Sequence, residues 1–102
     1  TSSDKTLKTD IQPLSSELEK IKKVNAVQYK WINPTWDKKL QYGVIAQEIE
    51  DIYPNIVYEN EKGTLGVNYQ MLIAPLIKSV QELSNKVDQL EKENIELRNL
   101  VQ

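Results

Sequence analysis

The sequence predicts an α+β fold: a small mixed domain of short strands and helices over residues 1–70, then a long C-terminal helix over residues 71–102 that forms a coiled coil. Three observations predict it. Apolar residues recur at alternating steps of three and four from Ile73 to Val101. The run VQYKWI at 27–32 alternates Val27, Tyr29 and Trp31 with Gln28, Lys30 and Ile32, the period of a half-buried strand rich in β formers. Finally, IVYE and TLGVN flank NEKG, in which Gly63 can take the positive φ that a hairpin loop often needs.

Composition narrows the function. Of 102 residues 39% are apolar and 27% charged, so the core is modest and help from partner chains is expected. A net charge of −2 argues against nucleic acid as the partner, because a phosphate-binding surface carries a basic excess. The absence of cysteine removes disulfides and thiolate metal sites, and the absence of histidine removes the usual zinc ligand and the usual general base. No apolar run approaches the roughly 20 residues that span a bilayer, and the start lacks the apolar stretch of a signal peptide, so no membrane partner is expected.

Along the chain, SSDKTLK at 2–8 places Ser3 and Lys8 five residues apart, a spacing at which the two do not face each other on a helix. The segment must fold back for them to meet. Ser16 and Glu19 have capping-box spacing, which predicts a short helix from about 16 to 24, with Leu14, Leu18 and Ile21 on one face. After the strand at 27–32, NPTWDKK makes a turn. LQYGVIAQEIEDIYPN at 40–55 then reads as a short strand to about Ile45 and a helical turn through Ile49 and Ile52, stopped by Pro54. Tyr29, Trp31, Ile45, Ile49 and Ile52 are the expected core, and Lys38 and Lys39 are expected to be exposed. After the hairpin, Asn68 is placed to cap the last helix, and Pro75 lies inside it, where a bend is expected. Glu48, Glu50 and Asp51 read as a solvated edge, and Gly63 and Gly66 lack the strand-to-helix context of a phosphate loop, so neither a metal nor a cofactor is expected.

The last helix carries the strongest pattern. Ile73, Val80, Val87, Asn94 and Val101 fill the a positions, and Leu76, Leu83, Leu90 and Leu97 fill the d positions. In parallel chains the flanking pairs would be Lys86 with Glu91 and Glu93 with Arg98, both of opposite sign. The seam of 29 residues extends roughly 43 Å at 1.5 Å per residue. β-branched a residues, leucine at d and one buried Asn lean toward two strands without excluding three.

Ser3, Asp4, Leu7 and Lys8, the block Gly43–Glu48, and the order of the elements from Ser3 to about Leu97 together resemble the C-terminal intramolecular chaperone domain of endosialidase-type phage tailspikes, tail fibres and neck appendages. Related domains also occur on some membrane-anchored transcription factors. The resemblance implies a homotrimer that assists folding of an upstream β-rich fibre in the same polypeptide. It further implies that the domain then cuts itself away between Ser2 and Ser3, so that assembly takes place in the host cytoplasm and the parent fibre ends in the virion tail. Its chemistry is that of a Ser/Lys dyad. A serine hydroxyl needs a base, and without histidine a lysine held neutral by burial can serve. Ser3 is the implied nucleophile, Lys8 the base, and Asp4 a structural residue of the turn. Two other readings share the fold: a non-catalytic trimerisation module at a fibre end, and a cellular coiled-coil adaptor, which would need an exposed apolar patch beyond the seam.

Overall fold

The computed structural model describes residues 1–101. A 3₁₀ turn, Lys5–Leu7, lies near the start. Helix α1 (Leu18–Ile21) follows, and strands β1 (Val27–Tyr29) and β2 (Gln41–Gly43) pair antiparallel, with Gln28 opposite Tyr42. Helix α2 (Ala46–Glu50) and a 3₁₀ turn begun by Pro54 lead into the second antiparallel pair, β3 (Val57–Glu59) and β4 (Leu65–Val67). A last 3₁₀ turn (Tyr69–Leu72) runs into helix α3 (Ile73–Val101). The α+β class and the long terminal helix are as the sequence predicts.

Gly63 has φ +82° in the β3–β4 loop, as a tight hairpin needs. Asn60 closes that loop: its side-chain oxygen accepts from the backbone N–H of both Lys62 and Thr64 at 2.9 Å. Across the hairpin Tyr58 stands opposite Gly66, and its ring lies over the glycine in the space a side chain would fill.

The core gathers under α2. Ile49, Tyr53, Ile56 and Leu72 are buried together, with Ile21, Val24, Val44, Ile52, Val57 and Val67 around them. Of the expected core, Ile49 is 1% exposed, while Tyr29 and Ile52 are half-buried. Trp31, at 41%, and Ile45, at 39%, are exposed. The reason is length: β1 stops at Tyr29, so the alternation never carries Trp31 over the core, and Trp31 instead stacks edge-to-face on Tyr29 and Trp36 at 5.0 and 4.9 Å. Lys38 and Lys39 are exposed, as expected.

Helix α1 is shorter than its sequence signal, and the capping box does not form. Ser16 makes no cap, and Glu17 is the N-cap residue without a side-chain bond of its own. The cap comes from α3, where Glu82 Oε1 accepts from the Glu17 backbone N–H at 2.6 Å. Glu19 is drawn elsewhere, 3.7 Å from Lys22 and 3.8 Å from Lys86. Lys86, expected to meet Glu91 of a neighbouring chain, thus has a carboxylate partner in its own.

Pro75 sits in the first turn of α3, where the missing N–H has no intrahelical partner to lose, so the place needs no bend. Pro75 and Ser79 are buried on the face of α3 that meets α1, and the Ser79 hydroxyl donates to the Pro75 carbonyl at 2.8 Å. Asn68 caps the 3₁₀ turn rather than α3, through its backbone. The seam residues point away from the chain's own core: all are exposed, from 44% at Val87 to 86% at Val101.

Candidate active site

The first eight residues build their geometry locally. Asp4, with extended backbone, is the N-cap of the 3₁₀ turn. Its Oδ1 accepts from the Thr6 backbone N–H at 2.9 Å and from the Thr6 hydroxyl at 2.8 Å. The backbone then closes, with Leu7 N–H donating to the Asp4 carbonyl at 3.1 Å and Lys8 N–H donating to the Lys5 carbonyl at 3.2 Å. This turn is the fold-back that a spacing of five requires. Lys8 Nζ arrives 2.7 Å from Ser3 Oγ and donates to it.

The two hydrogen bonds from Thr6 hold the Asp4 carboxyl below the usual carboxylate range, because both favour the ionised form. Asp4 is nevertheless not paired with the lysine. Among the described residues neither Asp4 nor Lys8 joins an ion pair within 4.0 Å. Residues 1–16 are exposed throughout, Leu7, Ile11 and Leu14 among them, so the chain itself puts no cover over Ser3, Lys8 or the Ser2–Ser3 bond. The arrangement puts a hydroxyl and an amine in contact. It can deprotonate Ser3 Oγ once the lysine amine is neutral, since only then can Nζ accept rather than donate.

Thr6 is the residue that the reading of the sequence passed over. Its signal is Asx-x-Thr, which also occurs at Asn33 and Thr35, where the same two bonds form at 3.0 and 2.8 Å. Side chains whose oxygen bonds the backbone two residues on give a turn its shape, and here the turn brings Ser3 and Lys8 together.

The block Gly43–Glu48 has a different office. Tyr69 Oη accepts from the Val44 N–H at 3.2 Å, and a Cβ on Gly43 would lie 2.5 Å from that same oxygen. Glycine is required there so that Tyr69 can reach the backbone between β2 and α2. Glu48, Glu50 and Asp51 are exposed on the edge of α2, and Ala46 and Gln47 line a groove of about 760 Å³ walled by Tyr29, Trp31, Tyr58 and Tyr69. Nothing in this block touches Ser3 or Lys8 through a hydrogen bond.

Comparison with known proteins gives one family. Residues 3–58 match the family described as "Chaperone of endosialidase", whose label also classes it as a peptidase. The first matched residue is Ser3. The long tail fiber proteins of Enterobacteria phages K3 and T2 are each 35% identical over 95 residues, covering 87% of this chain and 8% and 7% of theirs. A probable tail fiber protein of Escherichia phage Phieco32 is 36% identical over 74 residues, covering 67% of this chain and 10% of its own. The chain therefore spans a tenth or less of the length of these relatives.

Proposed function

Because the chain belongs to the chaperone-of-endosialidase family, we propose that it is a fibre-associated chaperone that trimerises, assists folding of an upstream β-rich phage fibre, and then frees itself by autoproteolysis. The parent fibre would be a component of the virion tail, as the names of the relatives suggest, with folding and release occurring in the host cytoplasm. One observation carries the catalytic part: the 2.7 Å contact between Lys8 Nζ and Ser3 Oγ at the point where the family match begins.

The chemistry follows from which carbonyl Ser3 can reach. Its Oγ attacks the carbonyl carbon of Ser2 while neutral Lys8 takes the hydroxyl proton. The new O–C bond forms as the C–N bond to Ser3 breaks, and Lys8 returns the proton to the departing amine, which is Ser3's own nitrogen. Ser2 is left as an ester on Ser3. Water then cleaves that ester, giving a carboxyl on Ser2 and restoring the Ser3 hydroxyl. The net reaction is hydrolysis of one peptide bond.

A lysine is a base only when neutral, and burial favours that form. Lys8 is uncovered within one chain, so the cover is to come from the folded fibre or from neighbouring protomers brought together by the seam of Ile73, Leu76, Val80, Leu83, Val87, Leu90, Asn94, Leu97 and Val101. Cutting would then wait for assembly. The test is a gel of the domain expressed behind its upstream fibre: wild type separates into two bands, and Ser3→Ala and Lys8→Ala each remain one full-length band. A wild-type polypeptide that folds, assembles and stays whole would leave the non-catalytic trimerisation module as the better reading.

A further inference from the structure

We propose that Thr6 is a positioning residue of this site: its hydroxyl keeps the Asp4 carboxylate on the turn and off Lys8, so that the lysine meets Ser3 without an ion pair. The proposal rests on Ser3 and Lys8 acting as the dyad. An acidic residue one place after the nucleophile and four before the base is a hazard as well as a help. As an N-cap it shapes the turn, but beside an amine it would hold that amine as an ammonium ion, which cannot accept the Ser3 proton.

The geometry resolves the conflict through Thr6. Both Thr6 donors, the backbone N–H at 2.9 Å and the hydroxyl at 2.8 Å, converge on the same oxygen, Asp4 Oδ1. The backbone bond alone would cap the turn. The hydroxyl bond adds a second anchor from another direction, which restricts rotation of the carboxylate about its Cα–Cβ bond. Asp4 stays beyond 4.0 Å of Lys8 although the two are only four positions apart and all the side chains here are exposed. The other charged side chains of this exposed segment are Lys5 and Asp10, neither of which joins an ion pair with Lys8. Asn33 and Thr35 show that the double bond is a local property of the pattern, since the same pair of contacts forms in the β1–β2 loop with no dyad beside it.

The experiment follows single-turnover cleavage against pH in the polypeptide that carries the upstream fibre. Thr6→Val keeps the β-branched shape and the backbone N–H but removes the hydroxyl. It is expected to cut roughly three- to tenfold more slowly near neutral pH, with the acid limb of the rate moved up by about half to one pH unit, because the freed carboxylate favours the ammonium form of Lys8. Thr6→Ser should restore the wild-type profile. Asp4→Asn combined with Thr6→Val should return the acid limb to its place, because the charge is gone while Asn can still cap the turn. Thr35→Val is the control and should cut like wild type. A Thr6→Val profile identical to wild type overturns the proposal. So does one that is slower at every pH without movement of the limb, or one that Thr6→Ser fails to rescue. Ser3→Ala separates the two levels: if it still cuts at Ser2–Ser3, the dyad itself is wrong, whereas a dead Ser3→Ala beside an unchanged Thr6→Val removes Thr6 alone.

Discussion

In the proposed dyad Lys8 can accept the Ser3 proton only as a free amine, and this fixes what each change at position 8 should do. Lys8→Arg keeps the positive charge and the reach, but a guanidinium does not deprotonate in the physiological range, so the variant should remain uncut. Normal cutting by Lys8→Arg, read on a gel, would mean that Lys8 acts as a charge and not as a base. Residues serving one step lose activity together, so Ser3→Ala with Lys8→Ala should be scarcely worse than either alone. A second residue-scale prediction concerns Tyr53. Burial, and after it the Glu17 carboxylate beside the phenol and the negative charge of Glu82, pushes its phenol above the ordinary value. A phenol raised in the folded state contributes stability that is complete below the unfolded value, about 10, and is lost as pH climbs through the folded one. Thermal melting followed from pH 8 to 11 should therefore show a fall at the alkaline end, and Tyr53→Phe should shrink it. At pH 7, where the phenol is neutral folded or unfolded, the same variant should change stability by no more than about 1 kcal/mol.

Between residues and elements lies the question of what the sequence could disclose. The hairpin of β3 and β4 was legible because Gly63 marks its loop and alternating residues flank it, and α3 because its period repeats over 29 residues. The meeting of Ser3 with Lys8 was legible only as a requirement for a fold-back, since Asp4 and Thr6 make the turn through a spacing of two that looks like ordinary terminal polarity. What could not be read was long-range. Ser16 and Glu19 spell a capping box, yet the Glu17 N–H is capped by Glu82, sixty-five positions on, and no local pattern encodes that partner. The alternation through Trp31 was misleading because β1 ends two residues earlier. The cap gives an element-scale prediction: Glu82→Ala should cost about 0.5–2 kcal/mol in urea denaturation, the ordinary loss on removing an N-cap, and an unchanged midpoint would mean that the 2.6 Å contact does not hold α1 on α3. Gly43→Ala tests the other long-range contact. Its Cβ would meet Tyr69 Oη at 2.5 Å, so the variant should lose about 1–3 kcal/mol, and adding Tyr69→Phe should recover part of that by deleting the oxygen. If the double variant is as weak as the sum of both, the clash is not with Tyr69.

At the scale of the whole molecule the chain is long and thinly cored, 66 × 39 × 23 Å, with Leu18, Ile49, Tyr53, Ile56 and Leu72 as its buried core and a 29-residue helix whose apolar stripe faces outward. A stripe exposed over roughly 43 Å is a face that water disfavours, at about 25 cal/mol for each Å² of apolar surface left wet. Association along it would remove that cost, and α1 leaves it free, because α1 and its N-cap residue meet α3 at Glu82 and Lys86, off the seam. That flank matters for the choice between two strands and three. Lys86 already has Glu19 as a partner in its own chain, which weakens the Lys86–Glu91 pairing expected between parallel chains, while Ile77, exposed beside Ile73 and Val80, widens the apolar stripe where the helix begins, which favours three strands over the two that the a and d residues lean toward. The proposed assembly has three chains. Sedimentation equilibrium of the chain at micromolar concentration should accordingly give three times the 11.8 kDa of one protomer. A mass of one chain would remove the seam as an interface, and a mass of two would keep the seam and overturn the trimer. Replacing Leu83 and Leu90 with asparagine should dissociate the assembly, each at about 2–5 kcal/mol per chain, the range for losing a buried leucine. Because both residues lie on α3 away from Ser3 and Lys8, the same double variant behind an upstream fibre also asks whether release depends on assembly: if the cover over Lys8 comes from neighbours, the dissociated protein should stay uncut with its dyad intact, and cutting at the wild-type rate would place that cover in the single chain.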